Sequence, residues 1–168
     1  MIFEGKNDTL NIGSANLMFK NFEGRQTQYN RKGDRNFCVV IDDMHWVRKL
    51  QNAGWNVKAT KPRDPEDEPR YYIKVKFSYP EDNPNISRGP TVYLHQGKKV
   101  SNLDRDTIAL LDDAFIIDAD VTIRAREWEV NGKTGVTGYL QTLHVSIEED
   151  AFASKYADNG EDDGHLPF

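Results

Sequence analysis

The chain has 168 residues, 38% hydrophobic and 29% charged, enough for one domain with its own core and too short for two ordinary ones. No run approaches the roughly 20 apolar residues that span a bilayer, and the N-terminus lacks a secretion signal, so a cytoplasmic protein with no membrane association is expected. The single cysteine, Cys38, excludes a disulfide framework and a cysteine-rich metal site.

In chain order the dominant hydrophobic period is two, with turn residues between short alternating runs. The first β region is expected over 9–22 and the second over 35–41. Between them lies a basic loop, 24–34, with Tyr29, Arg31 and Lys32. Asp42 or Asp43 suits the cap of a short helix that buries Met44, Val47 and Leu50, and Gly54 suits its end. A strand is expected over 55–59, then a Pro-rich exposed loop over 61–69. Alternation in the strand over 70–77 sends Tyr71, Ile73, Val75 and Phe77 to one face and Arg70, Tyr72, Lys74 and Lys76 to the other.

A Pro/Asn/Gly-rich loop over 80–90 precedes a strand over 91–94 with Tyr93 facing outward. A helical turn is expected around 108–111. Two long strands, 119–130 and 136–147, are joined by Asn131 and Gly132, a dipeptide suited to positive φ; Arg124, Arg126 and Trp128 share one face of the first. The expected fold is mainly β: an OB-like barrel of five to six strands with one short helix, spanning 1–155 and followed by a disordered acidic tail, 156–168.

The net charge of -5 conceals an uneven distribution. Seven of the 27 acids lie in 148–168, where Lys155 is the lone base, which leaves 20 acids against 21 bases in the body. Residues 20–63 hold ten bases and four acids, enough for a local positive field. Cations and aromatic rings coincide on faces that are not core: Tyr72 with Lys74 and Lys76, Trp128 with Arg124 and Arg126, and Tyr29 with Arg31 and Lys32. A nucleic-acid single strand exposes phosphates and the flat faces of its bases, so it needs both residue types from its binder. Arg35, Lys58 and Tyr93 complete the candidate DNA-binding set. Trp46 and Trp55 read more simply as core.

The C-terminal segment has no apolar periodicity and cannot bury enough surface to fold alone, yet it ends in Leu166, Pro167 and Phe168 behind Asp162 and Asp163. An apolar end with a free carboxylate fits a partner's apolar pocket with a basic rim.

The ending EDDGHLPF is similar to the acidic tip of bacterial single-stranded DNA-binding proteins, although Gly164 and His165 interrupt the acids. The body, with MIFEGKN, RNFCVVIDD, WEVNGKTGV and IEEDAFASKY, resembles the single-stranded DNA-binding proteins of bacteriophages. The resemblance implies an OB fold, sequence-independent coating of single-stranded DNA in replication, recombination or repair, and recruitment of polymerase, helicase or recombinase through the tip. It also implies that the acidic tail competes with DNA for the basic face. A homo-oligomer stays open.

No catalytic group, metal or cofactor is expected. Gly132, Lys133 and Thr134 look like the end of a phosphate-binding loop, but Glu127 stands where its first Gly belongs and no helix follows. His45, His95, His144 and His165 are dispersed along the chain. Asp118, Asp120, Glu127 and Glu129 are the residues that a metal-dependent nuclease would use. That reading and a structural or adaptor protein are the alternatives.

Overall fold

The computed structural model describes residues 1–148. Ten strands form one mixed sheet: β1 (Ile2–Glu4), β2 (Thr9–Ile12), β3 (Leu17–Asn21), β4 (Arg35–Ile41), β5 (Lys58–Ala59), β6 (Tyr71–Phe77), β7 (Thr91–Gln96), β8 (Lys99–Leu103), β9 (Ile116–Val130) and β10 (Lys133–Ile147), with helices α1 (Met44–Asn52) and α2 (Leu110–Asp113). Among the described residues no helix is long and apolar enough to cross a membrane.

The pairing path runs β1-β2-β9-β10-β6-β4-β3, with β5 on β6 and the β7–β8 hairpin on β10. This corrects the expected barrel of five to six strands and one helix: among the described residues there are more strands, a second helix, and an open path whose ends no ladder joins. The extra strands come from hairpins with little apolar alternation. β8 reads Lys-Val-Ser-Asn-Leu and is joined to β7 through Gly97 at φ 59°. β1 folds back on β2 through Asn7 and Asp8, both at positive φ. The segment between β2 and β3 serves both sides of the core, since Ala15 N–H donates to Ala119 O and Val40 N–H to Asn16 O. Ser14 at φ 51° makes the bend that divides the expected first strand in two.

Side-chain alternation builds the core. Phe37, Val39 and Ile41 of β4, Ile73, Val75 and Phe77 of β6, Val121 and Ile123 of β9, and Leu143 and Val145 of β10 are all buried. Phe22 lies stacked on Phe37 with centroids 5.1 Å apart. Helix α1 is capped by Asp43, which accepts from His45 N–H. Val47 and Leu50 reach the core, while Met44, expected inward, is exposed because it sits in the first turn just past the cap. Gly54 follows at φ 101°. Of the strand expected over 55–59 only Lys58–Ala59 forms; Trp55 instead bridges Val136 and packs on the core. The helical turn expected at 108–111 is found slightly later, as α2.

Asn131 and Gly132, at φ 50° and 79°, make the turn between β9 and β10 as their sequence predicts. Packing is close around Gly138, where a Cβ would stand 2.7 Å from the Trp55 ring and 2.8 Å from Ile123, so the approach of Trp55 to β10 requires glycine there.

Candidate nucleic-acid interface

Because alternation buries Ile73, Val75 and Phe77, it turns Tyr72, Lys74 and Lys76 outward, and the same geometry exposes Arg124, Arg126 and Trp128 on β9. Strand pairing then brings the two groups onto one face. A single row runs Thr9, Arg124, Tyr139, Lys76, Asn36, Asn21 across β2, β9, β10, β6, β4 and β3. Direct neighbours in such a row have Cβ atoms about 5 Å apart. The half-buried Tyr139 therefore stands between two cations, and the row contains no acid.

Beside it, Lys74 pairs with Cys38 and Cys38 with Met18. Beyond that, Tyr72 lies between Val40 and Lys58. Burial pushes the Cys38 thiol up, against the opposing pull of Lys74 and Lys58, so it stays a protonated, small apolar group between Lys74 and Met18. Phe19 completes this side, with its ring centroid 5.5 Å from that of Tyr72 at an interplanar angle of 70°. Lys20 turns away and donates to the carbonyls of Leu111 and Ala114.

The basic loop is held against the same face. Asn30 donates its side-chain amide to the carbonyls of Arg25, Arg31 and Asp34, at 2.9 to 3.0 Å. Its own carbonyl accepts from Asn36, the row neighbour of Lys76. Three of the loop's side chains point to solvent: Tyr29 is 88% exposed, and Arg31 and Lys32 are exposed.

Arg35 departs from its expected place on the binding face. It is 7% exposed, and it donates to Phe22 O at 2.7 Å and to Asp82 at 3.0 Å. The physical reason is parity, since Arg35 shares a strand face with Phe37 and Val39. Asp82 also binds Arg105 at 2.8 Å. That hydrogen bond first, then Arg35, holds the Asp82 carboxyl below the usual range against the opposing effect of burial. Arg35 lies over the ring of Tyr79, 5.1 Å from its centroid, and burial pushes that phenol up to about 12.

Tyr93 is apart from the basic row. It stacks on His144 at 4.6 Å, where β7 joins the far half of β10. His144 Nδ1 lies 3.1 Å from His95 Nε2, and Asp120 is the cross-strand partner of His144. These two histidines, dispersed in sequence, are neighbours in space. Asp118 and Asp120 share this outer face by alternation, whereas Glu127 and Glu129 fall on the other side of β9, so the four candidate nuclease carboxylates do not converge. Among the described residues no group of three or more His, Cys, Asp and Glu gathers at metal-binding distance. On the β9–β10 hairpin Trp128, 42% exposed, lies against Gly135, its cross-strand partner.

Tyr139, Asn36, Asn30 and Phe19 also belong to this face, and the sequence context of the last three does not single them out. For Tyr139 the signal is present, because WEVNGKTGV fixes the hairpin register and so puts it opposite Arg124. Asp162, Asp163, Leu166, Pro167 and Phe168, expected to bind partners, lie outside the described residues.

The model of the phage ssDNA-binding domain family matches residues 4–166. The chain belongs to this family. No curated protein matches it. Among solved structures, the single-stranded DNA-binding protein from bacteriophage Enc34 in complex with ssDNA is 10% identical, with a TM-score of 0.56 over 88% of this chain and 90% of that one. Its C-terminal truncation matches at 11% identity and TM-score 0.53, covering 86% and 89% of the two chains. The same phage protein in a further structure matches at 10% identity and TM-score 0.53, covering 94% and 90%. At such identities the likeness of the phage ssDNA-binding domain to these structures lies in the fold.

Proposed function

We propose that this phage ssDNA-binding domain coats single-stranded DNA without sequence preference, along the outer face that carries Lys58, Tyr72, Lys74, Lys76, Arg124, Arg126 and Trp128 and is extended by Tyr29, Arg31 and Lys32. The row Arg124, Tyr139, Lys76 carries this reading. It alternates cation, ring and cation with no acid, which matches a ligand that offers phosphates and base faces side by side. Stacking and phosphate contacts are both tolerant of sequence. The family and the fold shared with a protein solved in complex with ssDNA support the same ligand.

In this reading the protein is a non-enzymatic, OB-type binding module that protects single strands during replication, recombination or repair in the host cytoplasm. The acidic segment 156–168 recruits replication or recombination proteins through Leu166, Pro167 and Phe168, with Asp162 and Asp163 meeting a basic rim. While DNA is absent, the same tethered acids compete for the basic face at high effective concentration. Deletion of 158–168 then tightens binding at low salt, and unchanged or weaker binding contradicts that competition.

The test of the main reading is tryptophan fluorescence on adding poly(dT), with and without Mg²⁺. Quenching that saturates stoichiometrically in nucleotides, is indifferent to Mg²⁺ and is reversed by salt is expected. Shortening of the DNA instead indicates a nuclease, and no response leaves a structural or adaptor role.

A further inference from the structure

Phe19 is the strained residue of this face. Its φ is 52°, a left-handed conformation that an aromatic L-residue rarely adopts, and its ring is 61% exposed. Regular alternation from Leu17, the partner of Val39, would turn Phe19 inward toward Phe37. Instead the pairings Met18 with Cys38 and Asn21 with Asn36 leave one extra residue in β3, a bulge of the kind that re-aims a side chain. Phe22 takes the core place beside Phe37 and is fully buried, while Phe19 lies on the outside, edge-to-face with Tyr72.

Both the backbone strain and the exposed apolar ring work against folding, and a vacancy in the core does not explain them because Phe22 fills it. Strain of this sort persists at sites where the conformation serves a ligand. The surroundings name the ligand class, since Lys58 is the cross-strand partner of Tyr72 and Lys74 lies two residues further along the same face. An edge-to-face pair leaves ring faces uncovered for a flat group, next to cations for the adjoining phosphates.

We propose that Phe19 is a base-stacking residue, delivered by the β3 bulge to form with Tyr72 a two-ring platform for nucleobases of single-stranded DNA. This assignment rests on the ssDNA-binding reading and extends it to a residue outside the basic alternation.

Phe19→Gly and Phe19→Asn both accept the left-handed backbone, so each separates the ring from the strain. Full-length variants are compared with the unmodified chain by thermal melting and by anisotropy of a fluorescent dT oligonucleotide. The expected result is melting no lower than that of the unmodified protein with affinity reduced about tenfold, the scale of one stacked base, and retained binding in Phe19→Trp. Lower melting with unchanged affinity makes the ring structural and overturns the assignment, as does unchanged behaviour in both. If the unmodified protein fails to bind the oligonucleotide, the ssDNA reading falls; if it binds and Phe19→Gly binds equally, only the role of Phe19 falls.

Discussion

Asn36 on β4 donates its side-chain amide to the carbonyl of Asn30 at 3.0 Å, which fastens a basic loop to a sheet face that is itself basic. Since Asn36 also stands next to Lys76 in the cross-strand row, the loop's Tyr29, Arg31 and Lys32 continue that row instead of moving independently of it. Asn30→Ala removes this tie and three bonds to loop carbonyls. The expected outcome is weaker dT-oligonucleotide binding with little change in melting temperature. The plot of log K against log salt should be shallower by up to about 1.4, since each of the two phosphates that Arg31 and Lys32 would neutralise on a single strand contributes about 0.7.

Asp82 joins Arg35, beneath the basic loop, to Arg105. Asp82→Ala leaves the buried Arg35 charge without its carboxylate, and a loss of about 3 kcal/mol of stability is expected from chemical denaturation. Arg105→Ala, which removes an exposed partner, should cost less.

The same carboxylate sets an acid limit. Its folded-state pKa is depressed, by the Arg105 hydrogen bond first, so its contribution is fully present above the unfolded value of about 3.9. That contribution is lost as pH falls through the lower folded value. The fall in melting temperature between pH 7 and pH 3 should therefore be smaller in Asp82→Asn than in the unmodified protein. Equal falls would show that Asp82 does not carry this part of the acid response.

Trp128 lies against Gly135, and a Cβ there would overlap the Cζ2 edge of the indole. Gly135→Ala should push the ring off the hairpin. A red-shifted tryptophan emission and reduced quenching by poly(dT) are the expected readouts, with the fold kept because the site is at the exposed end of the hairpin.

Much of this architecture can be read from residue order, because its core strands alternate in burial, most regularly in β6. Parity alone separates Lys74 and Lys76 from Val75 and Phe77, and Asn131-Gly132 fixes the register that sets Tyr139 opposite Arg124. Parity also places Arg35 with Phe37, whereas the density of charge around it suggests the surface. What alternation does not carry is irregularity. The bulge that turns Phe19 outward goes with Phe22 stacking on Phe37, a packing arrangement that local pattern does not show. The adjacency of His95 and His144 arises from the parallel pairing of β7 with β10, a long-range relation with no local signature. The strands β1 and β8 lack an apolar rhythm because each lies at an edge, paired among the described residues with a single neighbour.

The DNA backbone is expected to lie along the acid-free row Arg124, Tyr139 and Lys76. The salt dependence of dT-oligonucleotide binding, compared between the unmodified protein and Lys76→Ala/Arg124→Ala, checks this placement. Linear loss of log K with log salt is expected in the first, and in the second weaker binding with a slope shallower by about 1.4, at unchanged melting temperature. Salt-independent binding, or a double variant with the same affinity and slope as the unmodified protein, would contradict it.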